Sequence, residues 1–136
     1  LDLTPRPPGT SLPPWLDALP MATVMIIEDD PQMARMLATL LEFEGYAAVI
    51  CPSPEQALDC IREARPNVVV MDFYLGKTRA PGLLRSLRED PDLRGVRVIV
   101  VSGDDQETAA RAAGADAFLL KPFPMEELIQ RIRKLG

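Results

Sequence analysis

Val68-Val69-Val70-Met71-Asp72 is the stretch that decides how this chain is read. Four apolar residues in a row, three of them β-branched, form a run too short for a helix. Such a run reads as a strand buried on both faces. Asp72 then places a carboxylate at the strand's far end, which in an open α/β sheet is the mouth where ligands bind. A second run, Val24-Met25-Ile26-Ile27, ends the same way, in Glu28-Asp29-Asp30.

The pattern repeats outward from these two strands. Strands are expected at 23–27, 46–51, 67–72, 96–101 and 117–120. The segments between them carry helical signals. Asp30 caps a helix with Pro31 at its first position, and Met33, Met36, Leu37, Leu40 and Leu41 give that helix an apolar stripe. Gly45 supplies its stop. Ser53-Pro54-Glu55-Gln56 reads as an N-cap, a first-turn proline and a capping-box Gln, with Ala57, Leu58 and Ile61 turned inward. Leu83, Leu84 and Leu87 mark the third helix. A short fourth helix covers about 105–113 and stops at Gly114, with Ala109, Ala110, Ala112 and Ala113 facing in. The last helix carries Met125, Leu128, Ile129, Ile132 and Leu135 on one face.

Five βα units imply a parallel sheet covered on both sides by helices, because parallel strands need right-handed crossovers. The expected architecture is α/β, a flavodoxin-like doubly wound (βα)5 sandwich with strand order 2-1-3-4-5. Two regions are expected: a proline-rich linker or tail at 1–21, and one domain at 22–136. The first holds Pro5, Pro7, Pro8, Pro13, Pro14 and Pro20, a composition that builds no core. Its one apolar knot, Trp15 with Leu12, Leu16 and Leu19, reads either as solvated linker or as a docking segment.

Bulk properties narrow the function. The chain has 136 residues, 26% of them charged, with a net charge of −5. That charge gives no footprint for nucleic acid or for an anionic membrane surface, and no apolar run is long enough to span a bilayer. There is no His, which removes Ser-His-Asp and Cys-His catalysis and any His-ligated metal. Cys51 and Cys60 are the two cysteines. Without a CxxC spacing they read as buried thiols in a reducing compartment, the cytoplasm.

In strand order 2-1-3-4-5, the acids after strand one and Asp72 after strand three share one crevice. Glu28, Asp29 and Asp72 crowded together would repel unless one held a proton. A hard divalent cation removes the conflict, and few oxygen donors with an open side suit Mg²⁺. The alternative is a set of solvated loop acids, a role that fits Asp30. It leaves unexplained why Asp72 ends a hydrophobic strand at the same place. Strand four ends in Ser102-Gly103 and strand five in Lys121-Pro122-Phe123. Acid, acid, hydroxyl and ammonium therefore come from four strand ends.

These pieces, together with Gly114-Ala115-Asp116-Ala117-Phe118, give residues 23–136 a strong resemblance to a response-regulator receiver domain, the CheY-like module of two-component signalling. The resemblance implies that Asp72 is the phosphoacceptor, taking its phosphoryl group from a histidine kinase or histidine phosphotransfer protein. Glu28, Asp29 and Asp72, with the main-chain carbonyl of Tyr74, would hold Mg²⁺. Lys121 and Ser102 would contact the phosphoryl oxygens. Ser102 and Phe118 would be the switch pair. Tyr74 and Asp104 would tune the lifetime of the phosphorylated state. The output face would be the fourth helix, fifth strand and fifth helix, engaging a downstream protein, and the resemblance leaves room for a weak homodimer. The chain would catalyse its own phosphorylation and dephosphorylation and would not turn over a separate substrate.

The loop after Asp72 departs from the pattern. The family's usual Pro and Gly positions hold Gly76 and Ala80, with Pro81-Gly82 following, which implies a loop two residues longer. Rival readings fit less well. A haloacid-dehalogenase-type enzyme needs a second Asp where Tyr74 stands. A flavin site needs a phosphate-binding loop where Glu28-Asp29-Asp30-Pro31 stands. A phosphorylation-independent scaffold on the receiver fold has no use for Asp72, Lys121 and Ser102 together. The expected context is the C-terminal receiver of a hybrid sensor kinase, or a stand-alone receiver starting at Met21.

Overall fold

A computed structural model describes residues 22–135, so the expected proline-rich segment 1–21 lies outside the described residues. The main sheet consists of β1 (Thr23–Ile27), β2 (Ala47–Ile50), β3 (Val68–Asp72), β4 (Arg97–Ser102) and β5 (Ala117–Leu120). All are parallel, and their order is 2-1-3-4-5, as the alternation of strand and helix predicts.

Side chains alternate strictly across this sheet, as the pleat requires. Val24, Ile26, Val68, Val70, Ile99, Val101, Ala117 and Leu119 face one layer, made by α1 (Pro31–Phe43) and α5 (Met125–Leu135). Met25, Ile27, Val69, Met71, Val98, Val100 and Phe118 face the other, made by α2 (Ala57–Ala64), α3 (Ala80–Glu89) and α4 (Glu107–Ala113). The three central strands are apolar on both faces because both faces are covered.

Four expectations are corrected in detail. First, the Ser53 capping box does not form. Ser53 makes no side-chain cap, its hydroxyl donates to Glu55 instead, and a 3-10 turn at Pro54–Gln56 precedes α2. Second, the segment after Asp72 is a hairpin, Tyr74–Leu75 paired with Thr78–Arg79. Gly76 at φ 63° opens its two-residue turn, the position where a type II′ turn takes glycine. Third, the α1 stripe is wider than the face that is buried. Ala34, Leu37, Ala38 and Leu41 point into the core, while Met36 is 49%, Leu40 38% and Phe43 91% exposed. Fourth, only Ala110 and Ala113 of α4 are buried; Ala109 and Ala112 face solvent.

Candidate functional site

Strand register assembles the site. Ile27 of β1 lies opposite Met71 of β3, so Glu28, one residue on, comes beside Asp72. Asp72 itself pairs with Val101 of β4, which brings Ser102 to the rim. Ser102 pairs with Leu120 of β5, and the amide of Lys121 donates to the Ser102 carbonyl at 2.7 Å. Acid, acid, hydroxyl and ammonium thus arrive at one edge because each terminates a buried strand.

Lys121 and Asp72 are joined. Nζ lies 2.7 Å from Oδ2 of Asp72 and 4.0 Å from Oε1 of Glu28. The other Asp72 oxygen accepts from the Tyr74 amide at 3.2 Å. Glu28 is the strained member. Its Oε2 is buried with no hydrogen-bond partner. Burial first, and the Asp72 charge second, push its pKa up to about 7, with Lys121 pulling the other way. A buried carboxylate oxygen without a donor, beside a second carboxylate, matches the donor chemistry of a hard cation.

Asp29 is exposed on the loop after β1. Among the described residues, no three His, Cys, Asp or Glu side chains are gathered into a ready cage. An open site of this kind still fits Mg²⁺, which takes one or two carboxylates and fills its remaining positions with water and phosphate oxygens. The Tyr74 carbonyl is available to it. Phe73 O accepts from Ala80 N, so the adjacent Tyr74–Arg79 pair falls at a non-hydrogen-bonded step of the ladder.

The opposite wall is a polar network. The Ser102 hydroxyl, fully buried, donates to Asp104 Oδ1 at 2.7 Å. The Tyr74 hydroxyl donates to Asp104 Oδ2, also at 2.7 Å. Gln106 Nε2 donates to both the Tyr74 hydroxyl and Asp104. These bonds hold the Asp104 carboxyl below its usual range, Ser102 being the largest cause, and push the Tyr74 phenol up. The Tyr74 ring is braced by the Arg79 guanidinium, 4.9 Å from its centroid, and by an edge contact with Phe73. Phe118 is already buried beneath this wall at 7% exposure, packed in the same core layer as Ala110 and Phe73.

Sequence reading missed Gln106 and Arg79, which only tertiary contact brings to the site. It also missed a cleft of about 440 Å³ that runs from Glu28, Asp72 and Lys121 between Met33 and Met36 of α1 and Phe123 and Met125 before and at the start of α5. A second hollow, lined by Leu40, Phe43, Met125 and Ile129 together with Glu44, Glu126 and Arg133, lies further along both helices. Its signal was present in the excess width of the α1 stripe.

Comparison with known proteins gives a consistent picture. Residues 24–133 match the family model described as the response regulator receiver domain. The chain is 31% identical over 110 residues to the DNA-binding response regulator MtrA of Mycolicibacterium smegmatis, covering 81% of this chain and 48% of that protein. It therefore spans about half the length of this relative. Among solved structures, a response regulator signal receiver domain from Bermanella marisrubri superposes with a TM-score of 0.77 at 27% identity, covering 83% of this chain and 96% of that one. The signal receiver domain of a histidine kinase from Syntrophus aciditrophicus does so with a TM-score of 0.76 at 26% identity, covering 84% and 89%.

Proposed function

Because the chain belongs to the response regulator receiver domain family, we propose that it accepts a phosphoryl group on Asp72 from the phosphohistidine of a histidine kinase or histidine phosphotransfer protein. The observation that carries this reading is the pairing of Lys121 with Asp72 beside the unpartnered Glu28 oxygen.

A carboxylate oxygen of Asp72 attacks phosphorus, the P–N bond to the donor imidazole breaks, and an acyl phosphate forms. Lys121 stands where charge builds on the transferring group. Positioning and charge neutralisation are the main contributions a protein makes to such a loose transition state. Glu28, Asp29, Asp72 and the Tyr74 carbonyl would hold Mg²⁺, which when bound offsets the negative charge of the acids and the phosphoryl oxygens. Ser102 is one rotation away from donating to a new phosphoryl oxygen, at the cost of its bond to Asp104. Loss of the phosphoryl group is the reverse demand: water must reach phosphorus past Tyr74 and Asp104.

The apolar cleft beside Asp72 suits the donor. It lies between α1 and α5, it is open, and it ends at the nucleophile, so a partner helix seated there would bring its phosphohistidine to the carboxylate. Output would run through α4, β5 and α5 to a downstream protein or an attached segment. The chain spans half of a DNA-binding relative and resembles the receiver of a histidine kinase, and the same chemistry serves either context. Among the described residues no helix is long and apolar enough to cross a membrane. We place the chain in the cytoplasm, where such donors act, and assign residues 22–136 to one receiver domain.

The test is incubation with Mg²⁺ and acetyl phosphate, read by intact mass against an Asp72→Asn variant. The expected result is one phosphoryl adduct on the wild type and none on the variant. An adduct that persists in the variant overturns Asp72 as acceptor. No adduct on the wild type would favour a phosphorylation-independent scaffold.

A further inference from the structure

Cys51 and Cys60, the chain's two cysteines, are both free thiols, and Cys51 donates to Cys60 with their sulfurs 2.9 Å apart. They share no residue with the acidic site, and nothing in the phosphoryl chemistry uses them. Both backbones are held by the fold. The Cys51 amide donates to Ile26 O at 2.9 Å, which fixes it just past the end of β2. Cys60 sits on α2 between Ala57 and Ile61, both fully buried. Disulfide formation needs a sulfur–sulfur distance of about 2.05 Å, so the pair must close by roughly 0.9 Å.

We propose that Cys51 and Cys60 form a modification site, an intramolecular dithiol that a hydroperoxide converts to a disulfide. The two sulfurs divide the work by exposure. Cys60 is half-buried, whereas Cys51 is 2% exposed. Burial and the hydrogen bond to Cys60 push the Cys51 thiol up to about 12, so Cys51 is the second to react. The Cys60 thiolate attacks one peroxide oxygen, the O–O bond breaks, and hydroxide leaves to become water. Cys60 is now a sulfenic acid, oxidised by two electrons. The Cys51 sulfur attacks the Cys60 sulfur, the S–O bond breaks, and the departing hydroxyl leaves as water with the Cys51 proton. In sum, two thiols and one peroxide give one disulfide and two waters. The cross-link ties the end of β2 to α2 and constrains the unfolded chain, so the oxidised form melts higher.

The experiment is treatment of the native full chain with hydrogen peroxide, followed by alkylation under denaturing conditions and peptide mapping without reductant. Expected are loss of two hydrogens, a linked Cys51–Cys60 peptide that dithiothreitol releases, a rate independent of protein concentration, and a raised Tm. In Cys51→Ala, a substitution that keeps the buried position small and apolar, Cys60 should be trapped as a sulfenic acid by dimedone. Two alkylatable thiols after treatment would overturn the proposal. So would conversion of Cys60 to sulfinic acid with Cys51 free, or cross-links only between chains. None of these readouts depends on Asp72, so failure here leaves the phosphoacceptor reading intact.

Discussion

The ammonium of Lys121 lies 2.7 Å from one carboxylate oxygen of Asp72, while the other oxygen is held by the Tyr74 amide. The proposed nucleophile is thus oriented at both ends before any donor arrives. Replacing Lys121 with Met keeps the stem and removes the charge. Losing a charge-assisted hydrogen bond in the transition state costs about 1.5–3 kcal/mol, so acetyl phosphate labelling should slow by roughly 10- to 100-fold. A time course of adduct formation by mass reads this directly, and a variant that labels at the wild-type rate would remove Lys121 from the mechanism.

Glu28 makes the metal-free protein sensitive to pH. Its pKa in the fold is about 7, against 4.5 for an unperturbed Glu, so the folded state binds the proton more tightly than the unfolded chain. The stability that this provides is complete below pH 4.5 and is lost as pH rises to about 7. In EDTA, Tm should therefore fall across that window, and Glu28→Gln should flatten the fall. Mg²⁺ needs the ionised carboxylate, so its stabilising effect should be larger above pH 7 than below it. A melt series of both proteins with and without Mg²⁺ checks this. Equal pH slopes for the two proteins in EDTA would contradict it.

Ser102 cannot serve Asp104 and a phosphoryl group with one proton. At rest its hydroxyl belongs to Asp104, at 2.7 Å. Asp104→Ala frees that hydroxyl and removes a negative charge from the wall of the site. A net hydrogen bond of about 1 kcal/mol corresponds to roughly a five-fold shift in the equilibrium. The phosphorylated fraction at a fixed, sub-saturating acetyl phosphate concentration should rise by about that factor. A fraction that stays the same or drops would show that Asp104 does not compete for Ser102.

Glu28, Asp72, Ser102 and Lys121 are legible in the sequence because each ends an apolar run. Asp72 and Lys121 interrupt hydrophobic strands abruptly, and the period-2 layering of β1, β3 and β4 follows from burial on both faces. What sequence could not show has equally physical causes. The Tyr74–Arg79 hairpin has two-residue strands, too short to display any period. Ser53 has the composition of a cap, but its hydroxyl is taken by Glu55, a local competition that pattern alone does not resolve. The α1 stripe looked like core because Met36, Leu40 and Phe43 are apolar at helical spacing. Periodicity reports which face is apolar and not whether the protein's own core covers it.

Arg88 of α3 should be a stability determinant far from the site. Its guanidinium donates to the carbonyls of Gly114, Arg94 and Val96 and to Asp116. It therefore clasps the end of α4 to the segment before β4. Lys cannot reproduce this planar fork, so Arg88→Lys and Arg88→Ala should both destabilise, by about 2–3 kcal/mol. Gly114 is the matching contact: its φ is 118°, and a Cβ there would sit only 2.7 Å from Arg88 Cγ, too close without a shift. Gly114→Ala should destabilise too. Urea unfolding of the three variants measures this, and a Lys variant as stable as wild type would refute the fork argument.

The fourth helix is expected to be the least stable helix of the fold. It spans Glu107–Ala113, buries only Ala110 and Ala113, and starts without a side-chain cap from Gln106. By contrast α3 buries Leu83, Leu84 and Leu87, each worth about 1.5–3 kcal/mol when removed from water. An alanine offers far less apolar area, and a helix of two turns has little cooperativity of its own. Native-state hydrogen exchange should therefore find the α4 amides opening before those of α1, α3 and α5. Because Gln106, directly before α4, bonds Tyr74 and Asp104, rearrangement of Ser102 and Asp104 on phosphorylation should change α4 protection more than that of any other helix. Protection of α4 equal to that of α3, or unchanged by acetyl phosphate, would break the link between the site and the proposed output face.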